Sequence, residues 1–218
     1  MSAASAAVIT AGAARGDARR IGVLFMIGSA CFAIASLPAA SDLSAKVVGV
    51  TYFVGSIFFT VAAFEQLRVA RGVGSEVWAA AIQFVGTLFF NVTTFTSMIE
   101  RISEDKQDLL VWSPDAIGSV CFLVASVLAE IAVIHAVLLV RRSATLNLVG
   151  SIAFGISAIA AYVVPDTNEL VNASLATSTT LVGAICFFWA ARVLVKPPPW
   201  LRPKGEPAHL PSSQGSQA

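Results

Sequence analysis

Charged residues are scarce in this sequence. Asp, Glu, Lys and Arg make up 12% of its 218 residues, whereas apolar residues make up 56%. Soluble domains contain about 25% charged residues, so this chain lacks the charge needed to cover a water-exposed surface. The net charge of +1 is no argument for or against a nucleic-acid partner, and we predict none.

Residue types that build catalytic and metal sites are equally few. The chain has two histidines and three cysteines; His135 has no ligand partner at helical spacing, and no Cys-x-x-Cys pair exists. The sequence contains no Gly-x-Ser-x-Gly, no His-Glu-x-x-His and no phosphate-binding glycine loop. Metal sites need several convergent ligands. We therefore predict that the protein is not an enzyme and has no catalytic residue, metal ion or cofactor.

What the sequence does contain is six long apolar segments. Each is near or above the roughly 20 residues that cross the hydrocarbon core of a membrane. In lipid such segments must be helices, because every backbone polar group needs an internal partner. The segments are 21–40, 47–64, 77–99, 117–140, 146–164 and 170–195. The predicted fold is an all-α polytopic membrane protein with six transmembrane helices in residues 21–195, flanked by disordered cytoplasmic tails over 1–20 and 196–218.

The distribution of Lys and Arg predicts the orientation. Both tails and the even-numbered loops carry most of them, whereas the opposite side carries only Lys46, Arg101 and Lys106. Cytoplasmic loops are enriched in these residues, so both termini should be cytoplasmic, in an inner or plasma membrane.

The first segment also resembles a secretory signal peptide, but its length and its copy of the recurring pattern favour a helix that is retained in the mature protein. The expected partners are membrane lipid and either a second copy of the chain or a membrane partner protein.

One local pattern recurs in all six segments: Gly, a small residue, two variable residues and then Phe. Chance placement of 15 Gly and 14 Phe does not explain one copy per segment, so a structural repeat is favoured. A pair of small residues follows seven and eight positions after each Gly, and small stripes let membrane helices pack closely. We call the six the repeat glycines: Gly28, Gly55, Gly86, Gly118, Gly150 and Gly183.

The repeat is predicted to serve helix packing. Its Phe either fills the notch on its own helix or covers the contact with a neighbour. The pattern is expected in the first half of each segment, hence toward the cytoplasm in odd-numbered helices and toward the outside in even-numbered ones. The repeating unit is either a helical hairpin copied three times or a three-helix block copied twice with inverted topology. The Gly-Ser-x-Cys-Phe shared by the first and fourth segments leans toward the second arrangement.

The Gly-Ser-x-x-Phe helices, together with the segment Trp112–Phe122 (WSPDAIGSVCF), resemble membrane proteins of the YrhK-like family. That family is built from short helical hairpins with this signature, so the resemblance over residues 21–195 implies a hairpin construction. It implies no activity and no site residues. Six helices also exceed the two expected of one such unit.

Departures from the repeat supply the candidate functional residues. Polar side chains follow one face of the third helix and part of the fourth, and polar residues in membranes usually face the bundle interior. They serve either as hydrogen bonds between helices or as the lining of a polar path or small binding pocket. The candidate path consists of Gln83, Thr87, Asn91, Thr94, Ser126 and Glu130.

Three charged residues are expected at similar depths near the inner ends of the even-numbered helices. Glu65, Glu130 and Arg192 are predicted to form an ion-paired cluster there. Glu130 could act as a proton relay, although snorkelling toward the interface is favoured. The function predicted is a non-enzymatic packing or partner subunit. The alternative is a small-solute or proton-coupled transporter with a polar path along helices 3 and 4.

Overall fold

The computed structural model of the protein contains six long helices, which confirms the prediction of an all-α chain that can cross a membrane six times. The structure describes residues 3–70, 74–99, 108–135, 138–164 and 169–195. Apolar stretches of at least 20 residues in each helix are long enough to span a membrane. In chain order the helices are α1 (Ala3–Ala35), α2 (Ala45–Val69), α3 (Ser75–Thr96), α4 (Ser113–Ala132), α5 (Leu138–Ala160) and α6 (Ala173–Val195).

Shorter elements connect the helices. A 3-10 helix (Pro38–Asp42) follows α1, and a π-helical turn (Asp108–Trp112) leads into α4. Between α5 and α6, the strands β1 (Val163–Val164) and β2 (Glu169–Leu170) pair antiparallel, which the sequence pattern did not predict. The indole Nε1 of Trp112 donates to the carbonyl of Ala158 at 2.9 Å and so ties the start of α4 to the end of α5.

Two spans begin well before the apolar segments that predicted them. The first is Gly16–Ala35 rather than 21–40, and the fourth is Leu109–Ala132 rather than 117–140. Polar residues and Pro114 are accommodated in the first turn of α4, where backbone N–H groups have no helical partner to lose.

The two predicted tails differ in what the structure describes. Helix α1 extends back to Ala3, so it includes residues that we expected to lie in a disordered N-terminal tail. The predicted C-terminal tail, 196–218, lies outside the described residues.

The helices form a closed ring in which each packs mainly against its neighbours in sequence and α1 closes against α6. Gly22 permits this closure, because a Cβ atom there would meet the side chain of Val195 and come within 3.3 Å of the Ala191 carbonyl oxygen. Contacts are most extensive within the pairs α1–α2, α3–α4 and α5–α6. We call the end of the ring where α1 begins and α6 ends the tail end, and the opposite end the loop end.

The repeat glycines are the crossing points of these three pairs. A Cβ atom on any of them would lie 2.9–3.2 Å from the carbonyl oxygen of the partner glycine, a distance at which the backbones would have to separate. The prediction that small residues permit close backbone approach is consistent with this geometry. The crossing pairs are Gly28 with Gly55, Gly86 with Gly118, and Gly150 with Gly183.

The glycines lie at mid-span, which corrects the expected position in the first half of each helix. Gly150 and Gly183, for example, stand at the centres of Val140–Ala160 and Ala173–Val193. Two antiparallel helices can bring one glycine of each together only where both lie at the same depth. Mid-span satisfies this condition for both partners.

The six repeat phenylalanines meet at the centre of the ring, each with at most 5% of its surface exposed. Within each helix pair the Phe rings touch at centroid distances of 5.0–5.3 Å. In five of the six cases the Phe covers the repeat glycine of the partner helix, which decides between the two packing roles left open above. These residues, which we call the Phe layer, are Phe32, Phe59, Phe90, Phe122, Phe154 and Phe187.

Candidate functional site

A cavity of about 750 Å³ occupies the centre of the tail end. Phe59, Phe122 and Phe187 form its floor, and these rings contact one another at centroid distances of 5.8–6.3 Å. The walls come from all six helices and are mainly apolar. Pockets that bind small molecules usually measure about 300–1,000 Å³ and combine apolar walls with a few placed polar groups.

Two of the five polar residues that line the cavity, Gln83 and Asn147, share one position relative to the repeat glycines. Phe25, Gln83 and Asn147 line it from α1, α3 and α5, and each stands three residues before a repeat glycine. A residue at that position and the Phe four residues after the glycine are seven apart, so they share one stripe of the helix. Because the Phe points to the centre of the ring, the earlier residue faces the same centre from nearer the tail end.

Gln83 is the most buried polar residue that lines the cavity. Only 7% of its surface is exposed, and its amide has no hydrogen-bond partner among the residues that the structure describes. The protein therefore carries an unused donor and an unused acceptor at the wall of its central cavity.

One of the hydrogen-bonding groups of Asn147, its Nδ2 donor, is already paired within the protein. Its Nδ2 atom donates to Ser126 Oγ at 2.8 Å, and Ser126 Oγ lies 2.7 Å from Ser151 Oγ. These bonds join α4 to α5 and hold the Asn147 amide in place. No described residue donates to its Oδ1 atom, so a second acceptor is left in the cavity wall.

An ion-paired network marks the rim of the cavity between α1 and α2. Arg20 donates to Asp17 at 3.2 Å and also pairs with Glu65, while Arg68 Nη2 lies 2.7 Å from the same Glu65 carboxylate. Asp17 is the one charged residue among the described residues that line the cavity. Its pairing with Arg20 means that the cavity presents no unbalanced charge from the described part of the chain.

The residues of the candidate path do not form one continuous path: they lie at the cavity, at the α2–α3 interface and at the α4–α5 interface. Gln83 alone lines the cavity. Asn91 Nδ2 donates to Thr60 Oγ1 at 2.9 Å, and Thr94 Oγ1 lies 3.0 Å from Ser56 Oγ, so both residues join α3 to α2. Ser126 joins α4 to α5, as described, and buried Thr87 donates to the Phe84 carbonyl of its own helix. Hydrogen bonds between helices account for most of the polar stripe.

The predicted inner charge cluster is only partly described. Glu65 pairs with Arg20 and Arg68, and Glu130 Oε1 accepts from Thr145 Oγ1 at 3.1 Å. Glu130 Oε2 is buried without a described hydrogen-bond partner. Arg192 lies in the last turn of α6, and a cluster of all three residues stays a prediction.

Among the described residues, no group of three His, Cys, Asp or Glu side chains is placed to hold a metal ion.

The position three residues before each repeat glycine is a signal that the sequence contained and that our predictions missed. On the even-numbered helices it is occupied by Tyr52, Asp115 and Thr180, so five of the six positions carry a polar or hydroxyl group. At the loop end, Tyr52 bonds to Ser36 at 2.7 Å and Thr180 bonds to Ser157 at 2.6 Å. The same register therefore supplies helix bonds at Tyr52, Thr180 and Asn147, and at Gln83 and Asn147 it also lines the cavity.

Comparison with known proteins yields no relative: no protein-family model, curated protein or solved structure matches the chain. The candidate site therefore rests on the geometry of this chain. The resemblance to YrhK-like proteins stays a prediction.

Proposed function

We propose that this polytopic membrane protein binds a small solute in its tail-end cavity and carries it across the membrane without chemical change. The observation that carries the proposal is the amide of Gln83, which lines the cavity and has no hydrogen-bond partner among the described residues. A solute in the cavity can pair with its N–H groups and its carbonyl oxygen.

The cavity favours a solute carrier over a packing or partner subunit. Helix packing is supplied at mid-span by the repeat glycines and the Phe layer. A subunit that only packs gains nothing from an unpaired amide beside an open volume, because filling the volume with apolar side chains would be more stable. The Phe layer closes the floor of the cavity, as expected of a carrier in a state open to one side.

We further infer that the repeating unit is a helical hairpin copied three times. Each repeat glycine crosses its partner within a consecutive helix pair. Two pairs also share one interhelical bond: Thr93 donates to the Val111 carbonyl at 2.7 Å, and Ser157 donates to the Ala176 carbonyl at 2.8 Å. In both, the donor stands seven residues after one repeat glycine and the acceptor seven before the next. This supports three hairpins over two inverted blocks, and it agrees with the hairpin construction of YrhK-like proteins.

The proposed orientation places both termini and the cavity on the cytoplasmic side of an inner or plasma membrane. Arg residues at the tail end of the described helices support it, since positive residues are retained on that side. These residues are Arg19, Arg20, Arg68, Arg141, Arg142 and Arg192.

The experiment that tests the proposal is purification followed by identification of small molecules that stay bound. Ala129 lines the cavity, so the indole of Ala129→Trp should obstruct it and abolish co-purification. Val127, two residues away on α4, is 43% exposed on the outer face, and Val127→Trp serves as the matched control that keeps the solute. The identified solute should then be taken up by vesicles containing the native protein.

Identical small-molecule content in the native protein and both variants would contradict a cavity-bound solute. Recovery of a stoichiometric protein partner in place of a solute would support the partner-subunit alternative.

A further inference from the structure

We propose that the solute is an uncharged, mainly apolar molecule that presents a planar amide edge, as in a primary amide, lactam or imide, to Gln83. This inference rests on the proposed solute-binding function and names the chemical class that the cavity selects.

The requirement for an amide edge follows from the unpaired hydrogen-bonding groups of the Gln83 side chain. A side-chain amide offers two N–H donors and one carbonyl acceptor in a plane, and no described residue of the protein uses any of them. A group with an adjacent donor and acceptor can form two parallel hydrogen bonds with it, whereas an ether or a ketone can form only one. The complementary edge is therefore that of another amide.

Asn147 adds a second point of recognition. It occupies on α5 the position that Gln83 occupies on α3, three residues before a repeat glycine, so both amides face the cavity at the same register. Its Nδ2 atom is used by Ser126, which fixes the amide and leaves Oδ1 as an acceptor. A second N–H of the solute is the group that this oxygen accepts.

The rest of the cavity excludes charge and favours an apolar body. Phe25, Phe59, Phe122 and Phe187 line it, and aromatic walls suit a ring system packed against their edges. Asp17, the charged residue of the described lining, stands at the rim in an ion pair with Arg20. An ionised solute at the level of Gln83 would be left without a counter-charge inside the membrane, which is costly.

The test uses four probes of one shape: 2-naphthamide, 2-methylnaphthalene, 2-naphthoate and 2-naphthylmethylammonium. Binding to the full chain in lipid nanodiscs is measured by titration calorimetry, with empty nanodiscs as the blank. We expect 2-naphthamide to bind at least about tenfold more tightly than the other three, the gain expected when two hydrogen bonds replace an unpaired amide. Gln83→Leu should reduce the ratio between 2-naphthamide and 2-methylnaphthalene to within about twofold.

Asn91→Leu is the control, because it removes an amide from the same helix at the α2–α3 interface and should leave the ratio unchanged. If Gln83→Leu fails to fold, Gln83→Met keeps the side-chain length and removes the amide. Equal binding of 2-naphthamide and 2-methylnaphthalene, or tighter binding of either charged probe, would overturn the solute class. Loss of all binding in Ala129→Trp would then still support the proposed cavity function, whereas unaltered binding in that variant would overturn both proposals.

Discussion

The two ends of the ring carry the same Gly-small-x-x-Phe motif, but the residues three positions before its glycine differ in what they contact. At the loop end, Tyr52 and Thr180 stand three residues before repeat glycines, and each bonds to a hydroxyl of the neighbouring helix. At the tail end, Gln83 stands at the same position and faces a cavity of about 750 Å³ without a described partner. The Phe layer lies between the two ends.

The difference teaches that register alone does not make a binding site. A polar side chain aimed at the centre of a membrane bundle stabilises the fold when a neighbouring helix supplies its partner, because an unpaired polar group in that environment is costly. Where no neighbour supplies one, the group is available to a ligand. On the proposed function, the tail end is the solute-binding half of the ring, whereas at the loop end Tyr52 and Thr180 use the same position to bond to a neighbouring helix.

The largest expected loss of stability comes from replacing a phenylalanine on either face of the Phe layer with alanine. Phe122→Ala and Phe90→Ala should each lower the free energy of unfolding by about 3–5 kcal/mol, since both rings are almost fully buried. Phe122 is part of the cavity floor, whereas Phe90 does not line the cavity. Phe122→Ala alone should therefore deepen the cavity.

The measurements are the unfolding midpoint in detergent and the affinity for anthracene-2-carboxamide relative to 2-naphthamide. Only Phe122→Ala should raise that ratio. An equal rise in both variants would show that the layer does not separate the two ends.

An intermediate effect is expected at the crossing points that both ends share. Gly150→Leu forces a side chain against the Gly183 carbonyl and the Phe187 ring, each about 3 Å from the position of the new Cβ, and should cost about 1–3 kcal/mol of stability. Gly155, on the same helix, has nothing within 4 Å of that position, so Gly155→Leu is the matched control. Thermal unfolding of the two variants checks the prediction, and equal stabilities would argue against the crossing.

The smallest effect should come from two serines placed symmetrically on α5, seven residues before and seven after Gly150. Ser143 donates to the Ala190 carbonyl at the tail end, and Ser157 donates to the Ala176 carbonyl at the loop end. Replacing either with Ala should cost about 0.6 kcal/mol, the average for hydrogen bonds between membrane helices.

Solute affinity separates the two serine variants. Ser143 lines the cavity, so Ser143→Ala should change the affinity for 2-naphthamide measurably, whereas Ser157→Ala should not. A change of the same size in both variants would remove the distinction between the ends.

Some of the site could be recognised from the sequence and some could not. Gln83 was a candidate because it belongs to a stripe of polar residues on one face of the third helix. Asn147 was not among the predicted residues, although its spacing from Gly150 equals that of Gln83 from Gly86. Asn91 and Thr94 share the helix of Gln83, yet they bond to α2. Such bonds join residues more than 30 positions apart, and no local pattern predicts which distant hydroxyl will be near.

The sequence by itself determined that this chain forms six apolar helices long enough to cross a membrane and that each helix carries a glycine and a phenylalanine one turn apart. Both follow from local properties: long apolar runs must satisfy their own backbone in lipid, and a short motif is visible wherever it occurs. Only the tertiary structure decided that the glycines cross at mid-span, that each Phe packs toward the partner helix, and that the described residues at one end of the ring surround a cavity lined by Gln83. These features depend on which helices become neighbours and at what depth, and that is set by packing across the whole ring.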